Sequence, residues 1–539
     1  MAEPQPFRAD VVDPDQDPTA TWALEPDDVA PLLARVAARP GAPRVTTRTP
    51  LTGAPLADVP TSTPQDVVEA VERARAVQRG WAHRPVAERA AVLLRLHDLL
   101  LDRASEVLNL VQLENGKARV HAYEEVADVA LVARHYARRA GALLAPRRVQ
   151  GLIPGLTSTR VVRHPVGVVG VVGPFNYPFN LTIGDALAAL VAGNGVVIKP
   201  DAQTPLTTLW GAALLEEAGL PPGLLAVVHG DGRALGEALV DAVDHVVLTG
   251  STPTGRTVAA RAGERLVGTT LELGGKNVLY VAPDADPQVA AEGAVRACFS
   301  NSGQLCVSVE RLLLHEDVAD AFLAAFVPRV RALRLGAGLD YAVDIGSLTS
   351  HAQLERVRTH VEDAISRGAT VLAGGVHRTD VGPLFYEPTV LTDVPEDALA
   401  SREETFGPVV SVATVRHEDE VVRLVNAGDV GLAASIWTRD TTHGRRLAQR
   451  LEVGMVNVNE GYAAAWGSTA APLGGVKGSG SGRRHGPEGL WATTWTQTVA
   501  VQRGAHHGLG LGRLYAMPAE RWTALFTRGL RAMRRLGMS

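Results

Sequence analysis

The sequence predicts an α/β protein made of two layers of similar size, and three observations carry that expectation. Between about residues 160 and 250, short β-branched runs alternate with helical ones: "RVVRHPVGVVGVVGP", "GDALAALVAG", "GVVIKP", "TTLWGAALLEEAG", "LLAVVHGDG" and "HVVLTGS". Strands separated by helices at this rhythm argue for βαβ units and a parallel sheet. A second such set, with "LLLHEDV", "HVEDAISRGATVLAGG" and "SVATVRHEDEVVRLVNAG", follows residue 306. The chain has 539 residues, 46% hydrophobic and 21% charged, which suits two large units or roughly three to four ordinary domains.

In chain order, the start "MAEPQPFRADVVDPDQDP" is acidic and proline-rich and does not read as a secretory signal. Residues 1–45 read as a loosely attached arm with helical potential at "DDVAPLLARVAA". A helix begins after Thr63, a capping residue, with Pro64 in its first turn and Val67, Val71 and Ala74 at helical spacing. Pro85 to about Leu144 is helical too, with Leu93, Leu96 and Leu100 on one face. At the other end, "PAERWTALFTRGLRAMRRLG" places Trp522, Leu525, Phe526, Leu530 and Met533 opposite a group of arginines. Such a basic amphipathic helix can pack on its own oligomer or make weak contact with an anionic membrane surface.

Composition narrows the function classes. A formal net charge of −5 without a basic stripe gives no footprint for nucleic acid. The two cysteines make no disulfide framework and fit no zinc spacing, so no metal site is expected and a reducing compartment is the simplest setting. No apolar run reaches the roughly 18 residues that span a bilayer, and the expected location is cytoplasmic.

Five stretches carry candidate chemistry. In "FSNSGQLCVSVER", Cys306 follows a polar, turn-forming run; read locally, it is either a nucleophile or a core residue with odd neighbours. In "TTLELGGKN", Glu272 ends an apolar strand, where burial tends to raise a carboxyl's pKa and suits a general base; a cap or salt-bridge role stays open. Asn176 in "GPFNYPFN" sits between two prolines, where a fixed amide can donate to an oxyanion or simply form a turn. Lys199 closes the strand "GVVIKP", the end where open α/β sheets bind ligands, though a solvated lysine is equally consistent. "HVVLTGSTPTGRT" imitates a Walker A loop but has Arg256 where the phosphate-reaching lysine belongs. Its Gly250 and Ser251 nonetheless open a helix whose N-terminus attracts an anion.

Together, "PFNYP", "KPDAQTP", "TGSTPTGR", "LELGGKN", "FSNSGQLC", "EETFGPV" and "PLGGVKGSGSGR" resemble, in order over about residues 45–505, the motifs of the aldehyde dehydrogenase superfamily. Within it, "RACFSNSGQLC", "GPLFYEPTVLT", "EGYAAAWGS" and "GRRHGPEGL" look most like the actinobacterial type of NADP-dependent succinate-semialdehyde dehydrogenase. The resemblance implies oxidation of an aldehyde to an acid through a thiohemiacetal and a thioester on Cys306. Asn176 and the Cys306 backbone N–H would hold the oxyanion, and Glu272 would activate water. Cys298 becomes the ordinary core cysteine. Lys199 would contact the adenosine ribose, Ser251 the pyrophosphate and Glu404 the nicotinamide ribose, with Phe406 beside the ring. Phe175, Ala202, Gly250, Gly255 and Leu273 complete the implied cofactor contacts.

Departures from the family pattern bear on cofactor and substrate. Where NAD-preferring members carry a glutamate for the ribose 2′-hydroxyl, this chain has Ala202, which admits NADP while leaving NAD possible. Arginines that hold a distal carboxylate in better-known succinate-semialdehyde enzymes are replaced by Gly184 and Ser300, leaving Arg483, Arg484 and His485 as candidates. Position 308 is Ser, so a Cys-x-Cys redox pair is absent. A broad-specificity enzyme for apolar aldehydes, and a catalytically idle member of the family, are the alternatives.

The implied fold is a Rossmann-like cofactor domain over 46–147 and 166–273 and a catalytic α/β domain over 274–489. An oligomerisation element at 148–165 and 490–503 implies homodimers or homotetramers, and 504–539 is the basic tail.

Overall fold

The computed structural model describes residues 26–154, 156–503 and 511–537. The acidic start of the arm, residues 1–25, lies outside them. Residues 26–45 are not a loose arm. The helix Pro26–Leu33 buries Val29, Leu32 and Leu33 in the same core as the helix Pro205–Glu217, and Val36 bridges Val227 at a sheet edge. Its apolar positions are too many for a solvated segment.

Thr63 closes a capping box with Asp66 ahead of the helix Pro64–His83, whose Val67, Val71 and Ala74 are buried. The long helical stretch that follows is three helices, Val86–Asp102, Ala104–Asn115 and Arg119–Leu144. Gly116, at φ 86°, ends the second of them in the left-handed region.

Two sheets organise the rest. The six-stranded sheet runs Gly480–Ser481, Gly268–Glu272, His245–Thr249, Val168–Val172, Gly195–Lys199 and Leu225–Val227 across its width. All neighbours are parallel except Gly480–Ser481. Strand order reverses between Val168–Val172 and His245–Thr249, the crevice at which doubly wound sheets bind ligands. The seven-stranded sheet runs Thr370–Ala373, Thr389–Thr392, Val409–Val415, Val309–His315, Asn277–Val281, Ala433–Trp437 and Met455–Val458, with only the first strand antiparallel. Cys298 is buried beneath this sheet, among Phe299, Phe322 and Phe326.

The segment expected to close the catalytic domain crosses back instead. Gly480–Ser481 pairs with Leu271 and Glu272 in the six-stranded sheet, and Leu490 joins its helical core. The expected strand pair is a three-stranded sheet of Arg147–Val149, Thr157–Pro165 and Thr494–Gln502, entered through the short helix Gly486–Trp491. Trp495, Val499 and Val501 are exposed on it. In the tail, the helix Ala519–Arg535 has no buried residue. Among the described residues, no helix is long and apolar enough to cross a membrane.

Candidate active site

The ends of the six-stranded sheet gather most of the sequence-predicted residues. Val172 runs into the turn with Phe175 and Asn176, Lys199 ends its own strand, Thr249 leads to Gly250 and Ser251, and Glu272 ends the fourth. These four exits share one edge because the strands are parallel.

The cysteine turn comes from the other sheet. It follows the helix Pro287–Phe299 and holds Asn301 at φ 50° and Ser302 at φ 54°, followed by Gly303 at φ 71°. Two successive non-glycine residues in the left-handed region are costly, and buried hydrogen bonds hold them there. The Asn301 Nδ2 donates to Asn176 O and Gln304 O, both at 3.0 Å. A Cβ on Gly303 would fall 2.0 Å from Gly407 O, so only glycine fits. The Asn277 Nδ2 then fixes the exit, donating to Cys306 O at 2.7 Å and Ser308 O at 2.8 Å.

Cys306 is half-buried, and its dry surroundings push the thiol up to about 12, with the Glu272 and Glu404 carboxylates adding to the effect and Arg484 opposing it. Glu272 is 6% exposed, and burial pushes its carboxyl up to about 8. Its Oε1 has no hydrogen-bond partner, while its backbone carbonyl accepts from Gly250 N at 3.0 Å. The strand thus ties the carboxyl to the helix-opening glycine. Asn176 donates through Nδ2 to Gln304 O at 2.9 Å, two residues before the thiol. An amide nitrogen carries two hydrogens, so one remains.

Two buried ion pairs, unseen in the sequence reading, position these groups. The Lys117 Nζ donates to Asn176 O at 2.6 Å and to Glu125 Oε1 at 2.7 Å, and Glu125 Oε2 accepts from Phe179 N and Asn180 N. Lys276 pairs with Glu310, whose carboxylate accepts from Thr405 N at 2.9 Å and Phe406 N at 2.8 Å. That second pair holds Glu404 against the Gly274–Gly275 turn, where Gly275 N donates to Glu404 Oε1 at 2.9 Å. A Cβ on Gly274 would meet Glu404 Oε2 at 2.4 Å. The one available signal was Glu310 early in an apolar strand and Lys276 just ahead of another.

The same edge fits a dinucleotide. Ser251 caps the helix Thr252–Glu264, and a Cβ on Gly250 would meet nothing within 4 Å, leaving open space before a helix N-terminus. Gly255 lets that helix close on Leu273, whose Cδ2 would lie 2.5 Å from an added Cβ. Lys199 is 5% exposed, its burial opposed by the Asp201 and Asp231 charges, and Nζ has no hydrogen-bond partner among the described residues. Ala202 is exposed beside it. Phe175 and Phe406 meet edge to face at 5.9 Å between centroids.

Beside Cys306 opens a cavity of about 190 Å³, lined by residues that include Glu124, Asp128, Tyr177, Leu305, Tyr462 and Trp466. The positions of the expected arginines are closed. A Cβ on Gly184 would fall 2.6 Å from Asn180 Oδ1, and Ser300 Oγ lies 2.8 Å from the Tyr462 hydroxyl. Of the substitutes, Arg484 Nε pairs with Asp185 at 2.6 Å and Arg483 donates to the carbonyls of Gly475 and Gly482, while His485 is buried without a ring hydrogen bond among the described residues, its Nε2 3.9 Å from Asp128 Oδ2. None of the three lines the cavity, though Arg484 and His485 lie behind Trp466 and Asp128 of its wall.

The sequence profile described as "Aldehyde dehydrogenase family" matches residues 38–499. A Mycolicibacterium smegmatis protein, provisionally named a succinate-semialdehyde dehydrogenase using NADP(+), is 51% identical over 485 residues, covering 90% of this chain and 93% of its own. The mitochondrial succinate-semialdehyde dehydrogenase of Arabidopsis thaliana is 38% identical over 82% of this chain and 83% of its own. A crystal structure of succinate-semialdehyde dehydrogenase from Burkholderia pseudomallei superimposes with a TM-score of 0.82 at 35% identity, covering 85% of this chain and 94% of that one.

Proposed function

The chain belongs to the aldehyde dehydrogenase family, and from that premise we propose that it oxidises an aldehyde with a distal carboxylate, succinate semialdehyde foremost, to the acid with NADP. The observation that carries the chemistry is an unpaired buried carboxyl close enough to raise a half-buried thiol, with a fixed amide bonded two residues before that thiol. The substrate and cofactor rest on the relatives named above and on Ala202.

At about 12 the Cys306 thiol is protonated in the resting protein, and a base must take its proton as it attacks. Cys306 is half-buried rather than enclosed, so that proton passes to solvent and Glu272 stays free for the later step. The sulfur bonds to the aldehyde carbon, and the resulting oxyanion accepts from Asn176 Nδ2 and the Cys306 backbone N–H. Lys199, Ser251 and Glu404 would hold NADP, which when bound would supply the hydride acceptor for collapse of the thiohemiacetal to a thioester on Cys306. Glu272 then takes a proton from water, the hydroxide attacks the thioester carbon, and the carbon–sulfur bond breaks to release the acid. We assign the exposed strand Thr494–Gln502 to contacts between copies of the chain.

One observation favours the alternative of an apolar aldehyde: among the described residues, the cavity wall holds Glu124 and Asp128 and no cation. Turnover of succinate semialdehyde and butanal, each with NADP and with NAD, followed by reduced-nicotinamide absorbance, decides between them. The highest kcat/KM is expected for succinate semialdehyde with NADP. Faster turnover of butanal overturns the substrate, and faster turnover with NAD overturns the cofactor.

A further inference from the structure

A carboxylate tail entering this cavity needs a cation, because an anion left unpaired in an apolar enclosure loses its hydration without compensation. Among the described residues, three cations approach rings of the wall. Lys117 Nζ lies 3.7 Å from the Tyr177 ring centroid, but its side chain is fully buried and committed to Glu125 and Asn176. Arg484 lies 5.9 Å from the Trp466 ring and is buried against Asp185. Arg296 differs from both: 46% of its side chain is exposed.

The Arg296 guanidinium sits 5.6 Å from the centroid of Tyr462, a ring that lines the cavity. The Tyr462 hydroxyl meets Glu124 Oε1 at 2.7 Å and Ser300 Oγ at 2.8 Å. Ser300 Oγ in turn donates to Arg296 O at 2.9 Å, so the two residues stand one helical turn apart on the same face. The small side chain at Ser300 leaves the inner turn empty of charge, and Arg296 supplies charge from the outer turn.

We propose that Arg296 is the specificity-determining cation that receives the tail carboxylate of the substrate at the rim of the cavity. The inference rests on the reading of a carboxylated aldehyde given above. Its guanidinium has donors to spare: among the described residues only Nη2 has a partner, the Glu460 carboxylate. Glu460 is tethered by Ala464 N, which donates to its Oε2 at 2.9 Å. It is therefore the resident anion with which a substrate carboxylate competes.

That competition makes the proposal testable in both directions. Full-length wild type and the variants Arg296→Gln, Arg296→Lys and Glu460→Gln are assayed with NADP on succinate semialdehyde and butanal, which match in length and differ in the carboxylate. The ratio of kcat/KM, semialdehyde over butanal, should fall about tenfold or more in Arg296→Gln through KM, recover in part in Arg296→Lys, and rise about threefold in Glu460→Gln. Added salt should weaken the wild-type ratio and leave that of Arg296→Gln flat. An unchanged ratio in Arg296→Gln, or an unchanged or reduced one in Glu460→Gln, overturns the assignment of Arg296. If Arg296→Gln fails to fold, Glu460→Gln and the salt series still decide. A wild type that does not favour the semialdehyde overturns the substrate reading itself, and the inference with it.

Discussion

The turn carrying Cys306 and the cavity beside it meet at Leu305 and through the Ser300–Tyr462 contact yet are built differently. The turn is held by backbone: left-handed residues, a glycine pressed on Gly407 O, and amides of Asn277 and Asn301 donating to main-chain carbonyls. The cavity wall is held by side chains, with Tyr177 and Tyr462 donating to the two oxygens of Glu124. A scaffold fixed through its main chain tolerates few sequences and keeps one chemistry. A wall fixed through side-chain tips can exchange them and admit another substrate.

The largest expected effect breaks the first half of this contrast. Cys306→Ala removes the only thiol in the cleft and should abolish aldehyde oxidation by about three orders of magnitude or more, while NADP binding, read by fluorescence quenching, persists. Retained activity would remove the cysteine from the mechanism.

Glu272→Gln comes next, with an expected loss of about 10²–10³ in kcat. A burst of reduced cofactor should precede the slow steady state as thioester accumulates. Because burial raises the Glu272 carboxyl to about 8, the wild-type rate should climb with pH through that value, and the variant should lose the climb. The same shift sets a stability trend. Between the usual value of 4.5 and about 8, the folded chain binds a proton that the unfolded chain releases. The stability this contributes is complete below the lower value and is lost as pH rises through the upper one. Tm should therefore fall less steeply in Glu272→Gln across that window, and an equal slope would place the titration elsewhere.

The difference between the two regions also governs what the sequence reveals. Glu272, Lys199 and Gly250 were legible because an apolar β-branched run followed by a turn marks the carboxyl end of a parallel strand. Cys306 was legible only through its company, since its turn is strained in a way no local propensity announces. Lys117–Glu125 and Lys276–Glu310 were not legible, because a charge inside an apolar run does not name its partner. Neither was the return of residues 480–491 to the first sheet, whose pairing strand is two residues long and carries no period. The cavity was least legible of all: Glu124, Leu305 and Tyr462 come from three distant elements, and only the fold closes them into one wall.

Glycine replacements sharpen the contrast in stability. Gly303→Ala places a methyl group 2.0 Å from Gly407 O at φ 71° and should destabilise the protein by about 2–4 kcal/mol in denaturant melts. Gly467→Ala, beside the cavity, meets its nearest atom, Ala463 O, at 3.2 Å with an ordinary φ of −72° and should cost less than about 1 kcal/mol. Equal costs would mean that the turn is no more constrained than the wall.

The smallest effect falls on the wall itself. Tyr462→Phe keeps the ring under Arg296 and removes the hydroxyl that meets both Glu124 and Ser300. Burial already raises the Glu124 carboxyl, and the phenols of Tyr462 and Tyr177 hold it down. Losing one of them should raise it further and cost about 1 kcal/mol of stability. A more readily neutral Glu124 repels an incoming carboxylate less, so the KM for succinate semialdehyde should fall about twofold to threefold as pH drops, more than in wild type. Butanal, without charge, should not register the change. If both aldehydes shift together, Tyr462 acts on the shape of the cavity and the wall is read by fit alone.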